Sequence, residues 1–191
     1  MPRIVLPFVV CLSLLCSGQD KLPQPPTRPE RIRVGKYGFS LEAPSGWRVG
    51  IGKDGLPLFV NFPWSRMQAQ ARLPKAGATI NVVAWERLLR RRGDETLSGW
   101  ASLDAVNAAP GTVVSVPLDV PPSTDISEAF WESFDEATFG PDDQAQREVS
   151  LYWTYGREKL AAHLFYVVGD PKGGAYETAL RKLVFSIRPL G

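Results

Sequence analysis

The chain contains very little cysteine and histidine, two residue types that carry much of protein chemistry. Its two cysteines, Cys11 and Cys16, both lie near the N-terminus, and His163 is its single histidine. A chain cleaved after Gly18 would have no thiol, which excludes disulfides, zinc–thiolate sites and cysteine nucleophiles. We therefore predict a fold that is stabilised by its hydrophobic core alone, and we predict no cofactor.

The sequence also lacks an excess of either charge. Lys and Arg number 22 and Asp and Glu number 20, which gives a formal net charge of +2 at pH 7. Such a balance provides no global field toward nucleic acid or an anionic membrane, so neither is predicted as a partner. The one basic concentration contains Arg90, Arg91 and Arg92 and is flanked by acidic residues. It is interpreted as a solvated loop or, alternatively, as a contact surface for an acidic partner.

A long apolar run is present only at the N-terminus. Arg3 precedes the largely apolar residues 4–15, and small residues follow at 16–18. This pattern is typical of a cleaved export signal, and the run is shorter than the about 20 residues that a transmembrane helix needs. Lipidation of Cys16 would instead anchor the protein to a membrane, but Leu15 stands where lipoprotein signals have a small residue. We expect residues 1–18 to be a signal peptide and the protein to be exported, either periplasmic or secreted.

The remainder divides into a tether and one domain. Residues 19–33 are rich in proline and poor in apolar side chains, which favours an extended and rather stiff tether. Residues 34–191 are numerous enough to bury one hydrophobic core, so a single domain is predicted.

Hydrophobic periodicity predicts a mixture of strands and helices in this domain. Strands are predicted at residues 46–49, 58–62, 79–85, 112–118, 148–155 and 160–168. A helix capped by Asp94 is predicted to continue to Asn107, and an amphipathic helix is predicted over residues 173–187. Residues 127–138 fit either a helix or a strand, and the neighbouring hairpin favours a strand.

The beginning and the end of this domain carry a family resemblance. It opens with Tyr37-Gly38-Phe39-Ser40-Leu41-Glu42-Ala43-Pro44-Ser45-Gly46-Trp47, an aromatic-led strand before a Pro-x-Gly turn and a tryptophan. It closes with a strand ending in Tyr166-Val167-Val168 and a helix ending in Leu183-Val184-Phe185-Ser186-Ile187-Arg188. Over residues 36–189 the chain resembles the PsbP-like superfamily, which includes the Ran-binding Mog proteins. The resemblance implies an α+β fold, an antiparallel β-sheet flanked by helices in an α/β/α sandwich, with residues 37–47 forming the first hairpin.

The resemblance also implies a non-catalytic role. Better-known members of the superfamily dock on a photosystem or bind a small GTPase, and they share no catalytic motif that could be matched to this chain. We expect a binding or accessory domain that docks on a protein partner in the envelope or outside the cell, and not an enzyme. The predicted contact surface is either the sheet face or the loops around Trp64 and around Arg90, Arg91 and Arg92. Trp131 is the other tryptophan expected to be exposed.

The acidic stretch 128–143 supports an alternative function, the binding of a small ligand or a cation. Asp135, Glu136 and His163 are the candidate metal ligands, because carboxylates and imidazole bind metal ions. The stretch lacks the regular Asp-x-Asp-x-Asp-Gly spacing of a calcium loop. A hydrogen-bonded strand histidine is the simpler interpretation of His163, and no Gly-x-Ser-x-Gly motif indicates a serine nucleophile for it.

Overall fold

A computed structural model describes residues 30–69, 72–84, 96–138 and 144–191. These residues form two antiparallel sheets and three α-helices. No helix among them combines the length and the apolar character that a membrane crossing requires.

The larger sheet has seven strands. They are β3 (Arg48–Ile51), β4 (Pro57–Val60), β5 (Ala78–Ala84), β6 (Val114–Leu118), β7 (Ile126–Asp135), β8 (Gln146–Tyr155) and β9 (Glu158–Val167). Their spatial order is β3-β4-β5-β9-β8-β7-β6, so β3 and β6 form the two edges. The long strands β7, β8 and β9 lie side by side, which confirms the strand prediction for residues 127–138.

One face of this sheet, the apolar face, carries the main hydrophobic core. Alternate side chains of the central strands point to it, and the buried members include Ile80, Trp131, Leu151, Trp153 and Leu164. Helix α3 (Gly173–Phe185) covers this face, as the predicted amphipathic helix should. Its buried side chains recur at helical spacing and comprise Tyr176, Leu180, Leu183 and Val184.

The opposite face, the polar face, is covered by two shorter helices. Helix α1 (Trp64–Ala69) follows β4, and helix α2 (Leu97–Asp104) precedes a 3₁₀ turn over Ala105–Asn107. The hydroxyl of Thr96 accepts a hydrogen bond from the Gly99 amide at 3.1 Å, so Thr96 is the residue that caps α2. The predicted cap, Asp94, lies outside the described residues.

A small second sheet joins the two ends of the domain. It contains β1 (Arg31–Val34), β2 (Phe39–Glu42) and β10 (Arg188–Pro189), with β2 in the centre. Strand β1 begins inside the segment that the sequence assigned to a tether, because residues 31–34 pair with β2.

The prediction of a first hairpin over residues 37–47 is wrong. The Pro-x-Gly turn forms, with the Trp47 amide donating to the Pro44 carbonyl at 3.1 Å and Gly46 at a φ of 80°. However, β2 pairs with β1 and β10, whereas β3 pairs with β4 in the larger sheet. The turn therefore carries the chain from one sheet to the other.

Candidate functional site

A row of polar side chains crosses four strands of the polar face. Ser115, Glu132, Ser150 and His163 occupy directly paired positions on β6, β7, β8 and β9. Directly paired residues of an antiparallel sheet share a face, so these side chains meet below α2. We use the name polar cluster for this row together with Asp104, Glu148 and Tyr152.

His163 is held at one nitrogen by two partners. Its Nδ1 lies 2.9 Å from Glu148 Oε1 and 2.8 Å from Ser150 Oγ, and the Ser150 hydroxyl donates to the same Glu148 oxygen at 2.9 Å. Because a carboxylate oxygen only accepts, Nδ1 carries the hydrogen in this arrangement. His163 is 7% exposed, which matches a hydrogen-bonded strand histidine.

The other side of His163 faces the end of helix α2. Its Nε2 lies 4.0 Å from Asp104 Oδ2, and the Tyr152 hydroxyl donates to that same oxygen at 2.8 Å. Trp100 of α2 packs edge-on against the Tyr152 ring, with centroids 5.2 Å apart. The apolar contact of Trp100 and Leu97 with Tyr152 and Ala161 thus sets the position of Asp104 above the strands.

Glu132 is the most enclosed acid of the polar cluster. Its Oε1 accepts a hydrogen bond from the Ser115 hydroxyl at 2.7 Å, while its Oε2 is buried and has no hydrogen-bond partner. Burial, together with the nearby carboxylates of Asp104 and Glu148, raises the pKa of Glu132 to about 7. Burial also raises the pKa of Asp104 above its usual value.

The neighbouring carboxylates also change the pKa of His163. Burial lowers the pKa of His163, but the hydrogen bond and charge of Glu148, with the charges of Asp104 and Glu132, outweigh it and leave the pKa raised. The polar cluster therefore combines carboxyl groups that retain protons with an imidazole that favours its charged form.

This geometry does not make Ser150 a nucleophile. Ser150 has no solvent-exposed surface, so an acyl substrate cannot reach its hydroxyl. Its hydroxyl and His163 Nδ1 are both directed at one Glu148 oxygen, whereas a catalytic serine needs the histidine's free nitrogen as its base. The arrangement holds protons and positions charge, and it resembles a Ser–His–acid triad only in composition.

Sequence reasoning singled out His163 and the acidic stretch 128–143 that contains Glu132, but it missed the other residues with these roles. The signal was the alternation of Glu148, Ser150 and Tyr152 along β8, which places all three on one face. The two-residue turn at Gly156 and Arg157, between the paired Tyr155 and Glu158, then sets Ser150 opposite His163.

The tryptophans expected to be exposed are buried. Trp64 is the first residue of α1, is 8% exposed and packs with Val60 and Phe62. A Cβ at Gly50 would come within 2.9 Å of the Trp64 ring, so the absence of a side chain there allows this packing. Trp131 is 6% exposed on the apolar face. Arg90, Arg91 and Arg92 lie outside the described residues.

The candidate metal ligands are not brought together. Asp135 lies on the apolar face, opposite to His163, and its Oδ1 accepts a hydrogen bond from Arg147 at 2.8 Å. Glu136 follows β7, and its pKa is raised to about 6 by burial and by the charge of Glu148. Within the described ranges, no group of three or more His, Cys, Asp or Glu side chains is arranged to hold a metal ion.

Comparisons with known proteins bear on the fold. No protein-family model matches the chain, and no curated protein matches it in sequence. Among solved structures, the Ran-binding protein Mog1p of Saccharomyces cerevisiae has a TM-score of 0.50 at 10% identity, covering 86% of this chain and 97% of that one. Cyanobacterial PsbP (CyanoP) of Synechocystis sp. PCC 6803 has a TM-score of 0.43 at 13% identity, covering 93% of this chain and 99% of that one.

A third similar structure is a longer protein of Bacteroides thetaiotaomicron VPI-5482, with a TM-score of 0.42 at 11% identity. The match covers 86% of this chain but only 49% of the Bacteroides protein, so this chain corresponds to about half of it. Identities this low concern architecture alone. The chain shares the architecture of Mog1p, and its antiparallel sheet flanked by helices confirms the predicted α+β fold class.

Proposed function

We propose that this chain is an exported, non-catalytic binding domain that docks on an envelope or extracellular protein through strand β6 and the turn before it. The observation that carries this proposal is the distribution of exposed apolar side chains. Five of the seven large exposed ones among the described residues lie between positions 103 and 116: Leu103, Val106, Val113, Val114 and Val116. Apolar side chains concentrated in this way are typical of interaction surfaces.

The backbone of β6 adds to this surface. β6 is an edge strand, so one side of its backbone has no neighbour in the sheet. Pro117 has no amide hydrogen and pairs with Phe130, so the hydrogen-bonding groups of Pro117 and Ser115 point away from β7. A strand of a partner could therefore pair with β6 near Ser115, while Val114 and Val116 provide apolar contact.

Two further facts support a binding role over a catalytic one. Ser150, the serine that contacts His163, is fully buried and is therefore closed to a substrate. A protein with the same fold is described as Ran-binding, which supports the ability of this architecture to bind a protein and says nothing of the partner here.

The test is a comparison of edge variants in the protein's own cells. Tagged wild type, Val114→Asp/Val116→Asp and the control Ile51→Asp are captured after mild crosslinking and their partners are identified by mass spectrometry. Ile51 is 51% exposed, like Val114, but lies on the opposite sheet edge. We expect one stoichiometric partner with wild type and Ile51→Asp, and loss of it with the β6 variant. Equal capture by all three proteins would contradict the docking surface.

Export is tested separately by fractionating those cells and sequencing the N-terminus of the recovered protein. We expect the exported fraction to contain a chain that begins near Gln19. An intact N-terminus in the cytoplasmic fraction would contradict export, and a lipid on Cys16 would replace cleavage after Gly18 by membrane anchoring.

A further inference from the structure

Three acidic side chains from three different elements converge below α2. Asp104 ends α2, Glu132 lies on β7 and Glu148 lies on β8. Glu148 accepts a hydrogen bond from Ser150, the residue paired with Glu132, and Asp104 accepts one from Tyr152 on the same face. His163 lies between two of these acids, with Nε2 4.0 Å from Asp104 Oδ2 and Nδ1 2.9 Å from Glu148 Oε1.

Glu132 provides an independent sign that a donor is missing. The residue is only 1% exposed, and its Oε2 has no hydrogen-bond partner. A buried carboxylate oxygen without a donor is costly, and native proteins rarely keep one without a reason. Glu132 Oε2 can therefore accept a hydrogen bond from an added donor, preferably a positively charged one.

From this geometry we propose that the polar cluster is a binding site for a primary ammonium group of a small ligand. The spacing of the acids does not suit a metal ion, which needs oxygen atoms at about 2.0–2.6 Å. An ammonium contacts its acceptors at about 2.7–2.9 Å and offers three donors, which suits more widely spaced carboxylates.

The site is enclosed at its edge by the side chains of Asp104, Glu148 and His163, which are 15%, 11% and 10% exposed. Glu132 is 1% exposed, so an ammonium group has to displace these side chains to reach it. Aromatic rings of Tyr152 and Phe165 lie next to His163, with centroids 5.9 and 6.4 Å from the imidazole. Aromatic faces are favourable neighbours for a cation. The site borders the proposed docking surface, because Ser115 of β6 donates to Glu132. The two proposals are tested at different residues and with different measurements, so either can fail alone.

The single histidine makes the test direct. The full chain is labelled at histidine, and the His163 NMR signal is followed while methylammonium chloride is added at pH 7 and constant ionic strength. Potassium chloride and tetramethylammonium chloride serve as controls, because neither cation has an N–H donor. We expect a saturable shift with methylammonium alone and a lowered His163 pKa in the complex, since a second cation disfavours the imidazolium.

Binding should also depend on pH. The titratable groups that face Glu132 are Asp104, Glu148, Tyr152 and His163. A group with a pKa of about 7 is about ten times more often deprotonated at pH 8 than at pH 6. We therefore expect methylammonium to bind about tenfold more tightly at pH 8 than at pH 6.

Two glutamine variants distinguish a site from general screening. Glu132→Gln removes the buried acid, whereas Glu128→Gln removes an exposed acid from the same strand and the same face. We expect Glu132→Gln to abolish the saturable shift and Glu128→Gln to keep it. If Glu132→Gln does not fold, Asp104→Asn at the edge of the site should weaken binding instead. Equal responses to all three salts, or unchanged binding in both Glu132→Gln and Asp104→Asn, would overturn the proposal.

Discussion

The two faces of the seven-stranded sheet are built from the same strands but by different physical means. On the apolar face, Leu151 and Leu164 are fully buried beneath α3, and burial of their hydrocarbon surface stabilises the fold. On the polar face, the adjacent Ser150 and His163 are also buried, but hydrogen bonds satisfy them. Burial therefore adds stability on one face, whereas on the other it costs free energy that hydrogen bonds and charge pairs must offset.

The helices reflect the same difference. α3 covers the apolar face with an apolar stripe over 13 residues, whereas α2 has 8 residues and contributes chiefly Leu97, Trp100 and Ala101. A short helix contributes less buried surface, so the polar face depends more on how its polar groups are paired. We interpret the apolar face as the source of stability and the polar face as the adjustable part of the molecule.

The largest effect is expected on the apolar face. Leu164→Ala removes a fully buried side chain and should lower the free energy of unfolding by about 2–5 kcal/mol, because it loses apolar burial and leaves a cavity. The measurement is urea denaturation, with Ile51→Ala as an exposed control expected within about 0.5 kcal/mol of wild type. A loss below about 1 kcal/mol for Leu164→Ala would place the stability elsewhere.

The next effect has the opposite sign and lies on the polar face. The raised pKa of Glu132 means that the folded protein binds a proton more tightly there than the unfolded chain, whose value is about 4.5. The tighter proton binding raises the free energy of unfolding fully below pH 4.5, and this gain is lost as the pH rises through about 7. A shift of this size corresponds to about 3 kcal/mol at most.

Glu132→Gln should remove the free-energy cost of ionising this buried carboxyl group in the folded protein at high pH. We expect the variant to be more stable than wild type by about 2 kcal/mol at pH 8 and nearly equal to it at pH 5, since a buried amide retains part of the desolvation cost. Thermal unfolding at both pH values measures the difference, and Glu128→Gln should show none of it. Destabilisation of Glu132→Gln at pH 8 would mean that the acid is better satisfied than its contacts indicate.

A smaller effect is expected at the centre of the polar cluster. Ser150→Ala removes the hydroxyl that donates to Glu148 and contacts His163, so it should lower the free energy of unfolding by about 1–2 kcal/mol. Ser127→Ala is the matched control, because that serine is exposed on β7. Equal stability of the two variants would show that the Ser150 hydrogen bonds contribute nothing beyond those made to water.

The smallest effect returns to the apolar face. The Arg181 guanidinium lies 4.0 Å from the centre of the Trp131 ring, and such a cation–π contact near the surface is worth about 0.5–1 kcal/mol. Arg181→Ala should therefore cost about 0.5 kcal/mol in urea denaturation. Replacing the neighbouring exposed Lys182 with alanine should cost less. A larger loss of unfolding free energy with Lys182→Ala would show that the effect comes from removing a positive charge and not from the contact with the Trp131 ring.

Much of the fold could be predicted because the spacing of apolar residues indicates which side of a helix or strand is buried. The spacing of Tyr176, Leu180 and Leu183 predicted α3, and alternation predicted β8 and β9. The local sequence pattern does not indicate which strands pair when they are distant along the chain. The turn at Pro44 to Gly46 was predicted correctly, but only tertiary contacts decide that its two strands enter different sheets.

The polar cluster was harder to predict, because it is assembled from four strands and a helix end. The turn at Gly156 fixes Ser150 opposite His163, so this pair was within reach of the sequence. Glu132 and Asp104 were not, since their positions depend on long-range pairing and on the packing of Trp100. Trp64 was assigned to a loop although Pro63 before it also favours a helix start, and burial against Gly50 has no local signal.

The central feature of the molecule is the set of interacting acids that surrounds one histidine on the polar face. The most direct measurement is the pKa of His163, obtained by NMR in wild type and in Glu148→Gln. We expect a wild-type His163 pKa above the usual value of about 6.5, and a lower pKa in the variant, where burial acts without the Glu148 charge. A wild-type pKa at or below 6.5 that does not change in Glu148→Gln would contradict this interaction between His163 and the acids.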